Sequence, residues 1–182
     1  SSEKTATEKK AAKTTAKAQE IILHELPRFL TKERKEQETL ARPIRVGLNG
    51  PGRVGRLIIR QLAGNPNFNL VAVPYTSAED LARLLKNDSV HGKFAGDIEF
   101  NNEERWIKIN SKKILVPERG RHPRDIKWSA WDIELVIDAT GIFEEADDLR
   151  GHMESSPTVK AVMLSAPAKD KQSKIDGTFV YG

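Results

Sequence analysis

The sequence contains no cysteine, no long apolar run and no large excess of charge of one sign, and each absence narrows what the protein can be. The 182 residues include 0 Cys, which excludes disulfide scaffolds, cysteine-ligated metal sites and a thiol nucleophile within these residues. No apolar run approaches the ~20 residues that cross a bilayer, so we expect no membrane span.

The charge balance is only slightly basic, with 30 Lys and Arg against 26 Asp and Glu and a net charge of +4. This balance permits contact with RNA or another anionic surface without requiring it. It would suit an RNA-containing particle such as an organellar ribosome. The expected location is inside the cell, in the cytoplasm or an organelle matrix, the mitochondrion included.

The composition changes near Pro43, which divides the sequence into an extension, residues 1–43, and a globular part, residues 44–182. Residues 1–20 are too polar to bury a core and predict a solvated tail, partly helical or disordered. An amphipathic helix is predicted next, with Pro27 as a kink or a restart. Its apolar positions recur at steps of about four: Ile21, Ile22, Leu26, Phe29 and Leu30.

The apolar face of this extension needs a partner surface. We expect residues 18–41 to dock on protein subunits of a larger assembly. Packing of the same face on its own globular domain remains the open alternative.

The globular part alternates continuous apolar runs with helical patterns. The runs at 44–48, 70–73, 135–140 and 161–167 predict buried strands. A helix that stops at Gly64 follows the first run, and Ser77 with Asp80 predicts a capped helix after the second. Shorter strands with turns at 101–102 and 110–111 are expected between them. The pattern predicts an α/β fold with a doubly wound, mostly parallel sheet, Rossmann-like and incomplete, covered on both faces.

Two other groups of residues are assigned structural roles. Glu144, Glu145, Asp147 and Asp148 are expected in the first turns of the helix after residue 140, where acidic side chains suit the helix dipole. Trp106, Trp128 and Trp131 lie in apolar contexts, which predicts core positions rather than platforms for stacking bases.

The strongest chemical signal is Gly50-x-Gly52-x-x-Gly55 between a predicted strand and a predicted helix. Gly50 would allow a tight turn, Gly52 would let the backbone approach a pyrophosphate, and Gly55 would let helix and strand pack closely. The helix N-terminus would present N–H groups to phosphates. The motif predicts dinucleotide-binding ancestry.

The ribose end of such a site departs from the usual pattern. A carboxylate normally follows the second strand and accepts hydrogen bonds from the adenosine ribose. Here the strand runs into Pro74, Tyr75, Thr76 and Ser77, and the first acids are Glu79 and Asp80 in the next helix. Binding of NAD should therefore be weakened, or a 2′-phosphate could be admitted with Thr76 or Ser77 as donors.

Six segments in order resemble the coenzyme-binding half of the glyceraldehyde-3-phosphate dehydrogenase family. They are VGLNGPGRVGR (46–56), NDSVHGKF (87–94), IKW (126–128), DATGIF (138–143), LSAP (164–167) and TFVYG (178–182). The resemblance implies NAD or NADP as coenzyme. It implies that Arg53 and Val54 line the pyrophosphate, that Arg119 lies near the adenine, and that the nicotinamide side is bordered by Thr140, Gly141 and Ser165.

The departures from the family pattern shape the functional expectation. The family's ribose-binding Asp falls on Tyr75, its loop Phe falls on Pro51, and the segment 168–177 looks longer than its counterpart. The sequence stops at Gly182, short of the family's nucleophilic Cys, its His base and its substrate domain. His91 is expected to make structural hydrogen bonds, and no His replaces the missing base.

Three functions follow as hypotheses. The first is a non-catalytic subunit with a structural or interaction role in a larger complex, with NAD or NADP binding optionally retained. The second is the coenzyme half of an active enzyme, with its nucleophilic Cys downstream of Gly182. The third is a free module that senses coenzyme. RNA contact would use basic runs at 112–113 and 119–124, although solvated loop charge is the simpler interpretation.

Overall fold

The computed structural model describes residues 42–169 and 176–178. The predicted tail at 1–20, the amphipathic helix and its docking segment at 18–41 lie outside the described residues. So do most of the segments 168–177 and 178–182. The expectations for these parts remain predictions.

The described chain alternates strands and helices as the sequence predicts. Its elements are β1 (Ile44–Asn49), α1 (Arg53–Gly64), β2 (Phe68–Ala72), α2 (Ala78–Lys86), β3 (Asn87–Asp88), β4 (Gly92–Lys93), β5 (Ile98–Asn101), β6 (Trp106–Ile109), β7 (Lys112–Leu115), β8 (Leu135–Asp138), α3 (Ala146–Glu154) and β9 (Ala161–Leu164), with 3₁₀ turns at Pro123–Asp125 and Trp128–Trp131.

Seven strands form one sheet in the order β5-β6-β7-β2-β1-β8-β9. The strands β7, β2, β1, β8 and β9 run parallel, whereas β5 and β6 form an antiparallel meander that ends in β7. The five parallel strands follow the 3-2-1-4-5 order of a Rossmann fold. The predicted α/β class with a doubly wound, mostly parallel sheet is confirmed.

Both faces of the sheet are covered. On one face, Ile58 and Leu62 of α1 and Leu81 of α2 join the buried side chains of β1 and β2. On the other face, Trp128 anchors a second cluster with Val136 of β8. Strand β8 is buried along its whole length, as expected for a central parallel strand with elements on both sides.

The ends of the first two helices agree with the sequence. Helix α1 ends at Gly64. Helix α2 begins after Ser77, whose Oγ accepts the Asp80 N–H at 3.0 Å and donates to Asp80 Oδ2 at 2.9 Å. This side-chain cap is the one predicted for these two residues.

Two predictions need correction. Helix α3 begins at Ala146, so Glu144 and Glu145 precede it, and Glu144 pairs with Lys169 at 2.7 Å. Trp128 is fully buried, but Trp106 is only half-buried on the β6–β7 hairpin. Its edge donates to Glu104 and Lys113 lies over its face, because the meander is at the sheet margin.

Within residues 42–169 and 176–178, the structure contains no helix with the length and apolar character that a bilayer crossing requires.

Candidate functional site

The glycine-rich loop connects β1 to α1 at the carboxyl edge of the parallel strands. Gly50 has φ +85°, a left-handed conformation that glycine adopts without strain. A Cβ on Gly50 would lie 2.6 Å from the Cα of Thr140. The Gly50 carbonyl accepts a hydrogen bond from the Gly52 N–H at 2.8 Å. The tight turn predicted at Gly50 is confirmed.

The other two glycines of the motif differ in what surrounds them. A Cβ on Gly55 would collide with the carbonyl oxygen of Gly50, so this glycine lets α1 pack directly against the loop. A Cβ on Gly52 would meet nothing within 4 Å. Gly52 is the N-cap of α1, which has neither a side-chain cap nor an acidic residue in its first turn. Open space therefore adjoins N–H groups that no side chain satisfies.

The first two residues of α1 face different surroundings. Arg53 is exposed, whereas Val54 is half-buried and packs against the core. The Arg53 carbonyl lies 2.8 Å from His91 Nε2. Because a carbonyl can only accept, the proton of the His91 ring lies on Nε2. This contact gives His91 the structural role expected from the sequence.

The segment 87–94 is anchored to α1 through a buried ion pair. Arg56 Nε donates to Asp88 Oδ2 at 2.6 Å, and the Asp88 side chain is fully buried. Its Oδ1 accepts the backbone N–H groups of Val90 and His91. Burial alone would raise the pKa of Asp88, but these hydrogen bonds and the Arg56 charge outweigh it and hold that pKa well below its ordinary range.

A second arginine of α1 holds the same segment. The Arg60 guanidinium donates to the carbonyls of Leu85, His91 and Gly92 at 2.6, 3.1 and 2.7 Å. Its carbon also lies 5.5 Å from the centre of the Phe94 ring. The residues of the NDSVHGKF stretch therefore fix α1, and through it the glycine-rich loop.

The end of β8 carries a buried carboxylate that ties two loops together. Asp138 is completely buried. Its Oδ2 accepts Asn49 Nδ2 at 2.9 Å, and its Oδ1 accepts the Thr140 hydroxyl at 2.6 Å and the Thr140 N–H at 3.0 Å. Asn49 precedes the glycine-rich loop and Thr140 lies against Gly50, so one side chain sets the separation of the two loops.

A histidine and a tryptophan complete this network. His152 Nε2 lies 3.1 Å from Asp138 Oδ2, and Trp128 Nε1 lies 2.9 Å from His152 Nδ1. Indole N–H only donates, so His152 Nδ1 accepts, and the neutral ring donates from Nε2 to the carboxylate. Burial would raise the pKa of Asp138, but hydrogen bonds from His152, Thr140 and Asn49 outweigh it and keep this pKa lowered.

The sequence analysis did not single out Asp138, His152 or Asn49 as a group. The available signal was a lone carboxylate in the apolar run LVID, since a buried charge requires partners. The partners could not be identified, because His152 is 14 residues away in helix α3 and Asn49 is 89 residues away in β1.

We call the space at the carboxyl ends of the parallel strands the crevice. The remaining predicted residues on its β8–β9 side lie together. Gly141 follows Thr140 with φ +65° and is exposed. The Ser165 N–H, after β9, donates to the Asp138 carbonyl at 3.0 Å, and the Ala139 N–H donates to the Asn49 carbonyl at 2.8 Å. Thr140, Gly141 and Ser165 therefore share one edge with the glycine-rich loop.

Arg119 lies elsewhere, in a pocket beyond the ends of β2 and β7. The pocket has a volume of about 260 Å³ and is lined by Tyr75, Thr76, Glu118 and Arg119. Tyr75 is half-buried and packs on the core, while Glu118 and Arg119 are exposed. Strand β2 separates β1 from β7, so this pocket lies to one side of the glycine-rich loop. The sequence analysis did not single out Glu118.

No group of three or more His, Asp or Glu side chains within residues 42–169 and 176–178 could hold a metal ion. The candidate site consists of the glycine-rich loop, the buried network around Asp138 and the pocket beside Tyr75.

Comparison with known proteins places these residues in context. Residues 44–146 match the family described as glyceraldehyde 3-phosphate dehydrogenase, NAD binding domain. The chain is 37% identical to glyceraldehyde-3-phosphate dehydrogenase of Geobacillus stearothermophilus over 140 residues, which cover 76% of this chain and 39% of that protein. It is 36% identical to glyceraldehyde-3-phosphate dehydrogenase 2 of Bacillus subtilis over 140 residues (76% and 38%).

A yeast relative gives the same picture. Glyceraldehyde-3-phosphate dehydrogenase 3 of Saccharomyces cerevisiae is 33% identical over 127 residues, which cover 69% of this chain and 37% of that protein. The chain thus spans just under two fifths of the length of these curated relatives.

Proposed function

Because this chain belongs to the glyceraldehyde-3-phosphate dehydrogenase family, we propose that its described part binds a nicotinamide dinucleotide, NAD or NADP, at the carboxyl ends of β1, β2 and β8. The observation that carries the proposal is the open space beside Gly52, next to an uncapped helix N-terminus. Such a terminus offers hydrogen-bond donors and a partial positive charge to a pyrophosphate. The residues present therefore fit the group.

In this proposal each part of the crevice binds a different part of the ligand. The loop of Gly50, Gly52 and Gly55 and the first residues of α1, Arg53 and Val54, hold the pyrophosphate. Arg119 lies at the adenosine end. The nicotinamide side is bordered by three residues: Thr140, Gly141 and Ser165.

The nicotinamide ring, when bound, supplies a hydride acceptor or donor. The Thr140 hydroxyl and N–H both donate to Asp138, so the loop that contains Thr140 and Gly141 has a fixed position. In this proposal that loop orients the nicotinamide ring. Tyr75, in place of an acid at the ribose end, should weaken or alter the preference between coenzymes.

Titration of the full 182-residue chain with NAD and with NADP by calorimetry tests this function. We expect saturable binding of at least one of them below about 1 mM. Gly50→Val should abolish it, since the side chain would overlap the Thr140 backbone. Absence of binding by either dinucleotide at that concentration would leave only a scaffold role.

We further propose that the chain acts as a non-catalytic subunit with a structural or interaction role in a larger complex inside the cell. The support is the apolar face predicted in residues 18–41, which needs a partner surface. Contact with RNA through the exposed Arg119, Arg121 and Arg124 is a subsidiary proposal, which a salt-dependent RNA-binding assay would test.

An equally consistent alternative is the coenzyme-binding half of an active dehydrogenase whose catalytic domain is not in this sequence. The coverage of just under two fifths of each relative supports it. Determining the mass of the native protein separates the two: a product much larger than 20.4 kDa, with coenzyme-dependent aldehyde oxidation, would favour the alternative.

The assembly role has its own test in the full chain. Leu26→Asp with Leu30→Asp should move the chain from a large complex to its free size on a sizing column. The matched pair Gln37→Asp and Thr39→Asp adds the same charge to the polar run and should leave the complex intact. Elution of the Leu26→Asp and Leu30→Asp variant with the large complex would contradict docking through residues 18–41.

A further inference from the structure

The pocket beyond β2 and β7 identifies which dinucleotide the crevice should prefer. In Rossmann domains a carboxylate after the second strand favours an unmodified ribose, whereas an arginine accommodates a 2′-phosphate. The four lining residues, Tyr75, Thr76, Glu118 and Arg119, surround an open pocket of about 260 Å³, and Tyr75 and Thr76 belong to the segment after the second strand, where this choice is made.

The carboxylates that follow β2 make their hydrogen bonds and ion pairs outside the pocket. Asp80 bonds Ser77 Oγ through Oδ2 and pairs with Arg83 through Oδ1 at 2.7 Å. Glu79 accepts Asn102 Nδ2 at 3.2 Å. Neither of them lines the pocket. The segment after β2 therefore provides no carboxylate to repel a phosphate at the ribose.

Positive charge is present on two sides of the pocket. Arg119 is exposed in its wall and has no ion-pair partner among residues 42–169 and 176–178. Behind the wall, the Arg105 guanidinium donates to the carbonyls of Tyr75, Thr76 and Val116, at 2.8 Å from Tyr75 O and 2.9 Å from Val116 O. Carbonyl partners leave its charge unneutralised.

Glu118 is the single carboxylate that opposes these two guanidinium groups within the pocket. Solvent screens Glu118 and Arg119 alike because both are exposed, so the excess of positive charge comes from the part-buried Arg105. Resting on the dinucleotide-binding function proposed above, we propose that this pocket selects a 2′-phosphorylated adenosine and thus NADP(H) over NAD(H). Arg119 forms an ion pair with the 2′-phosphate, and the Thr76 hydroxyl donates a hydrogen bond to it. The positive charge of Arg105 attracts the phosphate from a greater distance.

Calorimetric titrations of the full chain with NADP, NAD, adenosine 2′,5′-bisphosphate and 5′-AMP test this proposal. We expect each 2′-phosphorylated ligand to bind at least about tenfold more tightly than its unphosphorylated counterpart. The preference should fall as salt rises, because it is an ionic contact with an open pocket.

Two variants assign the preference to the pocket. Arg119→Gln should remove most of it by weakening NADP and bisphosphate binding, and Tyr75→Asp should reverse it by restoring an acid at the ribose. Lys160→Gln is the matched control. Lys160 is exposed near Glu134 at the amino ends of the strands, opposite the pocket, and its loss should change neither affinity beyond about twofold.

The outcomes separate this proposal from the one on which it rests. Binding of NAD as tightly as NADP, or more tightly, would overturn the selection and leave the coenzyme function standing. In that case Glu118→Gln should weaken NAD, because Glu118 would be the acid that accepts the ribose hydroxyls. Binding of no dinucleotide would overturn both.

Discussion

At the β1–β8 end of the crevice the polar side chains are buried and mutually satisfied, whereas at the β2–β7 end they are open to solvent. Asp138 and His152 are 0% exposed and share hydrogen bonds with Asn49, Thr140 and Trp128. Glu118 and Arg119 are exposed and line a pocket. The side chains of the first region contribute to the folded core, whereas those of the second region are accessible to a ligand.

The buried side chains at the β1–β8 end hold the two loops in place, whereas the open side chains at the β2–β7 end select the ligand. Substitutions at the buried end should change the free energy of unfolding and move both loops together. Substitutions at the open end should change affinity alone. Four predictions test that separation, in decreasing order of their expected effect on stability.

Removal of the buried carboxylate should have the largest effect. Asp138→Ala leaves the donors of Asn49, Thr140 and His152 without an acceptor, so we expect the free energy of unfolding to fall by about 3–5 kcal/mol. Urea denaturation measures it. Glu99→Ala, which breaks the exposed pair with Lys108, should cost less than about 1 kcal/mol. Similar losses in the free energy of unfolding for both variants would contradict the distinction between buried and exposed carboxylates.

The lowered pKa of Asp88 predicts acid sensitivity. The folded state holds this pKa below the unfolded value of about 3.9. Its contribution is therefore complete above about pH 5 and is lost as the pH falls through that value toward the folded-state pKa. Asp88→Asn should cost about 2–3 kcal/mol at pH 7 and progressively less as the pH falls toward 2.

Unfolding free energies across this pH range check the prediction for Asp88. A pH-independent cost for Asp88→Asn would show that the Arg56 pair does not stabilise the fold through its charge.

A matched pair of tryptophan substitutions isolates the effect of burial. Trp128→Phe removes the donor to His152 Nδ1 in the core and should cost about 1–3 kcal/mol. Trp106→Phe removes a donor to the exposed Glu104 carboxylate, at 2.8 Å, and should cost less than about 1 kcal/mol. Thermal unfolding of the two variants tests the order, and equal costs would contradict it.

Much of the frame could be predicted from the sequence because its causes are local. The glycine spacing predicts the tight turn at Gly50, and Ser77 with Asp80 predicts the start of α2, since each depends on residues within one turn. Continuous apolar runs predict the central strands, because such a run can be recognised without knowing which distant segments pack against it.

The parts that escaped prediction depend on contacts between distant segments. The link from Trp128 to His152 joins residues 24 apart in sequence, and the pair Arg56–Asp88 joins residues 32 apart. The position of Glu118 beside Tyr75 arises only when β7 pairs with β2. Trp106 was expected in the core because its neighbours are apolar, whereas the edge position of its hairpin follows from the strand order.

The fourth prediction measures the central claim, that open space at Gly52 lies where a dinucleotide phosphate binds. In Gly52→Ala the added methyl meets nothing within 4 Å, so the free energy of unfolding should stay within about 0.5 kcal/mol of the parent. The methyl should still obstruct a ligand that approaches the backbone. Titration of both proteins with NADP is predicted to show saturable binding by the parent and at least about tenfold weaker binding by Gly52→Ala. Equal affinity of the two proteins at equal stability would contradict the account.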